Sequence, residues 1–173
     1  MSQPSEIRIR PAEPRDADAI VAIYNQGIDE RIATFETRLR TREEIRHQIE
    51  TLARGLAMVV AEDRTGAVVG WAGYGEYRPR ECYRGVGDFS VYVDRSARGR
   101  GIGLRLLEGL IEAARACGCW KLVGRIFTFN HSSLTVAERA GFRRVGTYER
   151  HAQLDGRWLD VAIVERLIPE NQP

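Results

Sequence analysis

Lysine is almost missing from this chain. Of its 26 lysine and arginine residues only Lys121 is a lysine, so the other 25 are arginines. They are spread along the sequence and interleaved with 24 acidic residues, which leaves a formal net charge of +2. That balance is too small to predict a polyanionic partner, and the scatter excludes the one-sided basic stripe of a nucleic-acid binder. Long apolar runs are absent too. None approaches the ~20 residues of a membrane-spanning helix, so no membrane partner is expected. Cysteine is sparse and odd in number: Cys82, Cys117 and Cys119. The polar opening "MSQPSEIRIR" has no signal-peptide apolar region, which predicts a cytoplasmic protein with reduced thiols. Cys117-Gly118-Cys119 has neither a Cys-x-x-Cys nor a histidine pair at ligand spacing, so no metal is expected. Repeats, low-complexity stretches and interior linkers are also missing.

What is present fits one domain over residues 1–173, with 43% hydrophobic and 29% charged residues. "IRIR" (7–10) alternates like a strand, and Ile20, Val21, Ile23, Tyr24 and Ile28 recur at helical spacing. A second helix is expected over Arg42–Leu52, with Thr41 and Glu44 as a capping box. "AMVVAED" and "AVVGWAGYGEY" read as a hairpin, followed by the arginine-rich loop "YRPRECYRG". "VGDFSVYVD" (86–94) alternates strictly, with Phe89, Val91 and Val93 on one face and Asp88, Ser90 and Tyr92 on the other. Helix 101–116 turns Ile102, Leu106, Leu107, Leu110, Ile111 and Ala114 inward. A strand at 120–127 and a short helix capped by Asn130 and ended by Gly141 come next. Two closing strands meet at Asp155-Gly156. The order is β-α-α-β-β-β-α-β-α-β-β, an α/β domain around a mixed sheet.

The densest chemical signal is Arg98-Gly99-Arg100-Gly101-Ile102-Gly103, at the mouth of a helix. Alternating glycines let successive N–H groups face one anion, and the helix N-terminus and the arginines add positive charge. No P-loop spacing occurs. A dinucleotide fingerprint begun at Gly99 or Gly101 ends on Leu104 or Leu106, where glycine is required.

"SVYVDRSARGRGIGLRLLEGLI" is similar to the acetyl-CoA-binding core of the GNAT N-acetyltransferase superfamily, and "NHSSLTVAERAGF" to its second CoA-contacting motif. "AIYNQGI", "ATFET", "YRPRECYRGVGDFSVYV" and "DGRWLDV" narrow the match to the phosphinothricin and methionine-sulfoximine acetyltransferases, most closely the arsinothricin-resistance type. The resemblance covers residues 6–168. It implies a seven-stranded, mostly antiparallel mixed sheet flanked by four helices, with the two central strands splayed. It also implies acetyl-CoA as co-substrate, direct transfer to a primary amine in a ternary complex, and a homodimer.

By the same resemblance, Val91, Tyr92 and Val93 would hold the pantetheine arm while residues 98–103 take the pyrophosphate. Asn130 and Ser133 would reach the arm, although Asn130 serves equally well as a helix cap. Asp88, where the family more often has glutamate, is the candidate base for the ammonium, directly or through water. Backbone N–H groups near Ser90 and Val91 would polarise the thioester oxygen. Ala137 stands where many relatives have a tyrosine acid, which leaves Tyr92 and His151 as spare proton donors. Arg80 and Tyr83 match the family's phosphinate-binding pair and, with Tyr77 and Arg78, would form an anion site for a small amino-acid acceptor. Phe35 and Glu36 fall in a loop that closes over the substrate in the family. Trp158 and Asp160 are expected in packing and dimer support. Two alternatives remain: an acetyltransferase for another amine, such as a peptide N-terminus or polyamine, and a non-catalytic acyl-CoA sensor.

Overall fold

Each periodic stretch forms the expected element in a computed structural model, which describes residues 7–52 and 55–172. Strand β1 (Arg8–Pro11) leads into α1 (Ala17–Glu30), whose C-cap Arg31 is left-handed with φ 58°. Helix α2 (Arg42–Glu50) starts with the reciprocal capping box: Glu44 N donates to Thr41 Oγ1 and Thr41 N donates to Glu44 Oε2. It stops two residues short of Leu52, because Thr51 leaves helical geometry and turns its hydroxyl back to the His47 carbonyl. The remaining elements are β2 (Ala57–Glu62), β3 (Val68–Glu76), β4 (Val86–Val93), α3 (Ile102–Ala116), β5 (Lys121–Phe127), α4 (His131–Arg139), β6 (Arg143–Leu154) and β7 (Arg157–Leu167).

The seven strands form one sheet in the order β1-β2-β3-β4-β5-β7-β6. Every neighbouring pair is antiparallel except β4 and β5, which run parallel. Both faces are covered. On one, all six inward residues predicted for α3 are buried against Ala72, Phe89 and Leu122. On the other, Ala17, Ile20 and Ile23 of α1 and Ile45 of α2 pack on Met58, Val60 and Trp71.

The central pair decides where a site can form. Its ladder holds only from Val86↔Lys121 to Asp88↔Val123, and the strands then part. Gly124 lies at the opening, where an added Cβ would come 2.3 Å from Phe89 Cε1. Phe89 thus crosses the gap over a glycine and packs against Phe142, 4.7 Å between ring centroids. From Phe89 onward, β4 has no ladder partner on its β5 side.

β6 forms the sheet edge and is exposed along most of its length. Trp158, on β7 and expected in packing and dimer support, keeps 57% of its surface exposed in the single chain. Among the described residues no helix is long and apolar enough to cross a membrane.

Candidate active site

Beyond β4, Asp94 accepts hydrogen bonds from the Ser96 backbone and hydroxyl and starts a tight turn. Gly99 and Gly101 follow with φ of +77° and +76°. A Cβ at either would meet nothing within 4 Å, so backbone conformation rather than room demands glycine there. The first bond inside α3 runs from Arg105 N to Gly101 O, which leaves the N–H groups of Ile102, Gly103 and Leu104 without intrahelical partners. Open space, orphan donors and a helix N-terminus together fit a pyrophosphate. Arg100 stays exposed, with one weak bond to the Ser96 carbonyl. Arg98 is more committed, donating to the Val93 carbonyl and pairing with Glu30 at 2.8 Å. Burial pushes the Glu30 carboxyl up, but Arg98 and Arg95 outweigh it and hold the group below its ordinary range.

The gap between β4 and β5 contains two adjoining cavities. The smaller, about 60 Å³, is lined by Val91, Leu107, Ile126, Asn130 and Ser133. Asn130 does two jobs here: its Oδ1 caps α4 by accepting from Ser133 N, and its Nδ2 donates to the Ile32 carbonyl. The larger, about 430 Å³, brings in Tyr24, Phe35, Glu36, Asp88 and His151. Phe89, Ser90, Tyr92, Arg125 and Phe127 line both.

Asp88 stands at the last rung of the β4–β5 ladder and forms an ion pair with Arg125. Burial raises its carboxyl above the usual aspartate range, against the lowering effect of that guanidinium. Tyr92 stacks on Trp71 at 5.1 Å, and burial keeps its phenol protonated well beyond neutral pH. The segment carrying Phe35 and Glu36 is fastened at both ends, by Asn130 at Ile32 and by the Asn25 amide against Arg40. Phe35 seats edge-on against Phe127, 4.7 Å away. His151 arrives on a bulge, where β6 takes four steps from Tyr148 to Ala152 while β7 takes two from Val161 to Leu159. Asp160 holds that bulge by accepting from the N–H of Arg150, which has a φ of 45°.

The structure therefore brings Asp88, Tyr92, Phe35 and Glu36 to one cavity, with Val91, Asn130 and Ser133 alongside. Tyr77, Arg78, Arg80 and Tyr83 form a cluster of their own on the β3–β4 loop and do not line that cavity. Tyr77 and Tyr83 meet edge-on at 5.5 Å, and Arg78 lies over the Tyr77 ring. Sequence reasoning missed Arg125, Tyr24 and Thr34. Arg125 had a legible signal, a charged residue in the middle of the apolar strand "KLVGRIF".

An acetyltransferase (GNAT) domain model matches residues 6–143. An L-methionine sulfoximine/L-methionine sulfone acetyltransferase of Pseudomonas aeruginosa is 37% identical, over 91% of this chain and 92% of its own. Among solved structures, a GNAT phosphinothricin acetyltransferase from Sinorhizobium meliloti in complex with acetyl-CoA superposes with a TM-score of 0.88 at 31% identity, covering 94% of this chain and 88% of its own. A ribosomal-protein-alanine N-acetyltransferase from Brucella melitensis gives a TM-score of 0.88 at 38% identity, covering 93% and 99%.

Proposed function

Because the chain belongs to the GNAT acetyltransferase family, we propose that it transfers acetyl from acetyl-CoA to the α-amine of a small toxic glutamate analogue, conferring resistance to it. Phosphinothricin, methionine sulfoximine, methionine sulfone and arsinothricin are the candidate acceptors. One observation carries the reading: Asp88 stands where the central strands part, beside two cavities that share Ser90 and Tyr92. A base, an acceptor space and a slit for an extended donor thereby meet at one point. The names of the Pseudomonas and Sinorhizobium relatives support this acceptor class.

Residues 98–103 hold the pyrophosphate of acetyl-CoA, while the unpaired β4 edge from Phe89 to Val93 takes its arm like an added strand. Acetyl-CoA supplies the thioester. Asp88 accepts the proton of the α-ammonium, directly or through water, freeing the nitrogen lone pair for the acetyl carbon in a ternary complex. N–H groups near Ser90 hold the carbonyl oxygen as charge develops on it. After attack the nitrogen sheds its second proton, and the departing thiolate, with a thiol pKa of about 8.5, takes it up through solvent, so no acid is needed at the buried Ala137. The exposed β6 edge, with Val145 and Tyr148, and Trp158 on the neighbouring β7 form the proposed contact of a homodimer. The three free cysteines fit a cytoplasmic setting.

The test is thiol release from acetyl-CoA with phosphinothricin, methionine sulfoximine, methionine sulfone, arsinothricin, spermidine and an alanine-initiated peptide offered in parallel. Turnover confined to the amino acids supports the proposal. Turnover of spermidine or peptide alone replaces the acceptor, and CoA binding without turnover of any acceptor favours a sensor.

A further inference from the structure

We propose that Arg125 selects acceptors bearing a free carboxylate beside the amine, and that Asp88 and Arg125 together receive the zwitterionic head group of an α-amino acid. The inference rests on the acetyltransferase reading above and deepens it. Arg125 follows Val123 by two residues on β5, so both side chains lie on the same face of that strand. Val123 is the register partner of Asp88, and the Asp88–Arg125 pair is the first link across the strands beyond their last rung.

A guanidinium presents five N–H donors in a planar fork. Among the described residues Asp88 is the one hydrogen-bond partner of the Arg125 guanidinium, and 56% of the arginine side chain stays exposed. Spare donors are therefore available in both cavities that Arg125 lines. The other ionisable neighbours in the larger cavity are Glu36, Asp88, Tyr24, Tyr92 and His151, so Arg125 is its one permanently cationic side chain. An acceptor bearing only an ammonium would be served by Glu36 and Asp88, and repelled by the guanidinium. A zwitterion matches the arrangement, its ammonium on Asp88 and its carboxylate, one carbon away, on the arginine fork. A peptide N-terminus carries a neutral amide at that carbon and leaves the fork without its anion. This subsite differs in place from Arg80 and Tyr83, which do not line the cavity.

The experiment compares kcat/KM for L-methionine sulfone and for its carboxamide, at saturating acetyl-CoA, in wild type, Arg125→Ala and Arg125→Lys. Wild type should prefer the acid by about 100-fold or more, as expected of a site built to bond a polar group. Arg125→Ala should erase most of that preference, chiefly through a higher KM for the acid, and Arg125→Lys should restore part of it. Loss of folded enzyme cancels within each ratio, and the basicity difference between acid and amide cancels when the ratios of two proteins are compared at one pH. An unchanged ratio in Arg125→Ala overturns the role of Arg125 while leaving the transferase reading standing. If wild type turns over none of the four candidate amino acids, the acceptor class itself is wrong and this inference falls with it.

Discussion

Asp88 shows how two neighbours set one residue's chemistry. Burial disfavours its anion and Arg125 favours it, with burial dominant, so the carboxyl titrates above an ordinary aspartate. A general base works deprotonated, so kcat/KM should fall as pH drops through that raised value. Removing Arg125 deletes the opposing influence, and the acidic limb in Arg125→Ala should move to higher pH; an unmoved limb would assign it to another group. Asp88→Asn should lower kcat by about 10²–10⁴-fold, the usual contribution of a positioned base. Stopped-flow thiol release measures both. At Gly101, φ of +76° penalises any side chain. Gly101→Ala should therefore cost about 1–2 kcal/mol in thermal unfolding and raise the KM for acetyl-CoA, while the KM for the acceptor changes little.

Among the elements, the parting of β4 and β5 depends on small residues at its opening. Phe89 passes over Gly124 so closely that a valine there would force the ring out of its packing against Phe142. Overpacking of that kind costs roughly 1–3 kcal/mol. Gly124→Val should lower the unfolding free energy by that amount in urea titration and weaken acetyl-CoA binding in calorimetry. Helix α2 answers to its cap. Thr41→Ala removes a bond to Glu44 N and should cost about 1 kcal/mol without altering turnover, since α2 contributes no residue to either cavity.

For the whole molecule, the β1–β2 edge is tied to the start of α1 by Arg10, which bridges Asp16 and Glu62 at 2.7 and 2.6 Å. Asp16 is only 5% exposed; burial pushes its carboxyl up, but Arg10 and the Glu13 N–H more than compensate and its pKa lies below normal. Stability from such a group is present above its unfolded pKa, about 3.9, and fades as pH falls through the lower folded value. Asp16→Asn leaves the buried arginine underpaired and should cost about 3–5 kcal/mol at pH 7. Urea titrations at pH 7 and at pH 3 should show the wild-type advantage shrinking in acid; an equal gap at both would mean the pair contributes no pH-linked stability.

The elements were legible because their evidence is local. The inward face of α3, the alternation of β4, the Thr41–Glu44 box and the Asn130 cap each depend on residues within a few positions of one another. The loop over Gly99–Gly103 was legible for the same reason, since its φ values and orphan donors belong to a continuous stretch. Asp88 was found through the motif around it, but its ion pair was not, because Arg125 lies 37 residues away and meets it only once β4 and β5 are laid side by side. His151 enters the cavity through a register shift against β7, and Phe35 through a segment fastened to α4; neither is encoded in a neighbouring residue. The cluster at Tyr77, Arg78, Arg80 and Tyr83 makes the same point in reverse. Its spacing matches an anion site, yet the path of the β3–β4 loop keeps it from lining the cavity. Sequence alone thus determined the elements, their order and the glycine-rich loop before α3, since neighbouring residues specify backbone geometry. Tertiary structure decided which charges share the cavity, because their distances depend on strand register and on where two parallel strands stop pairing.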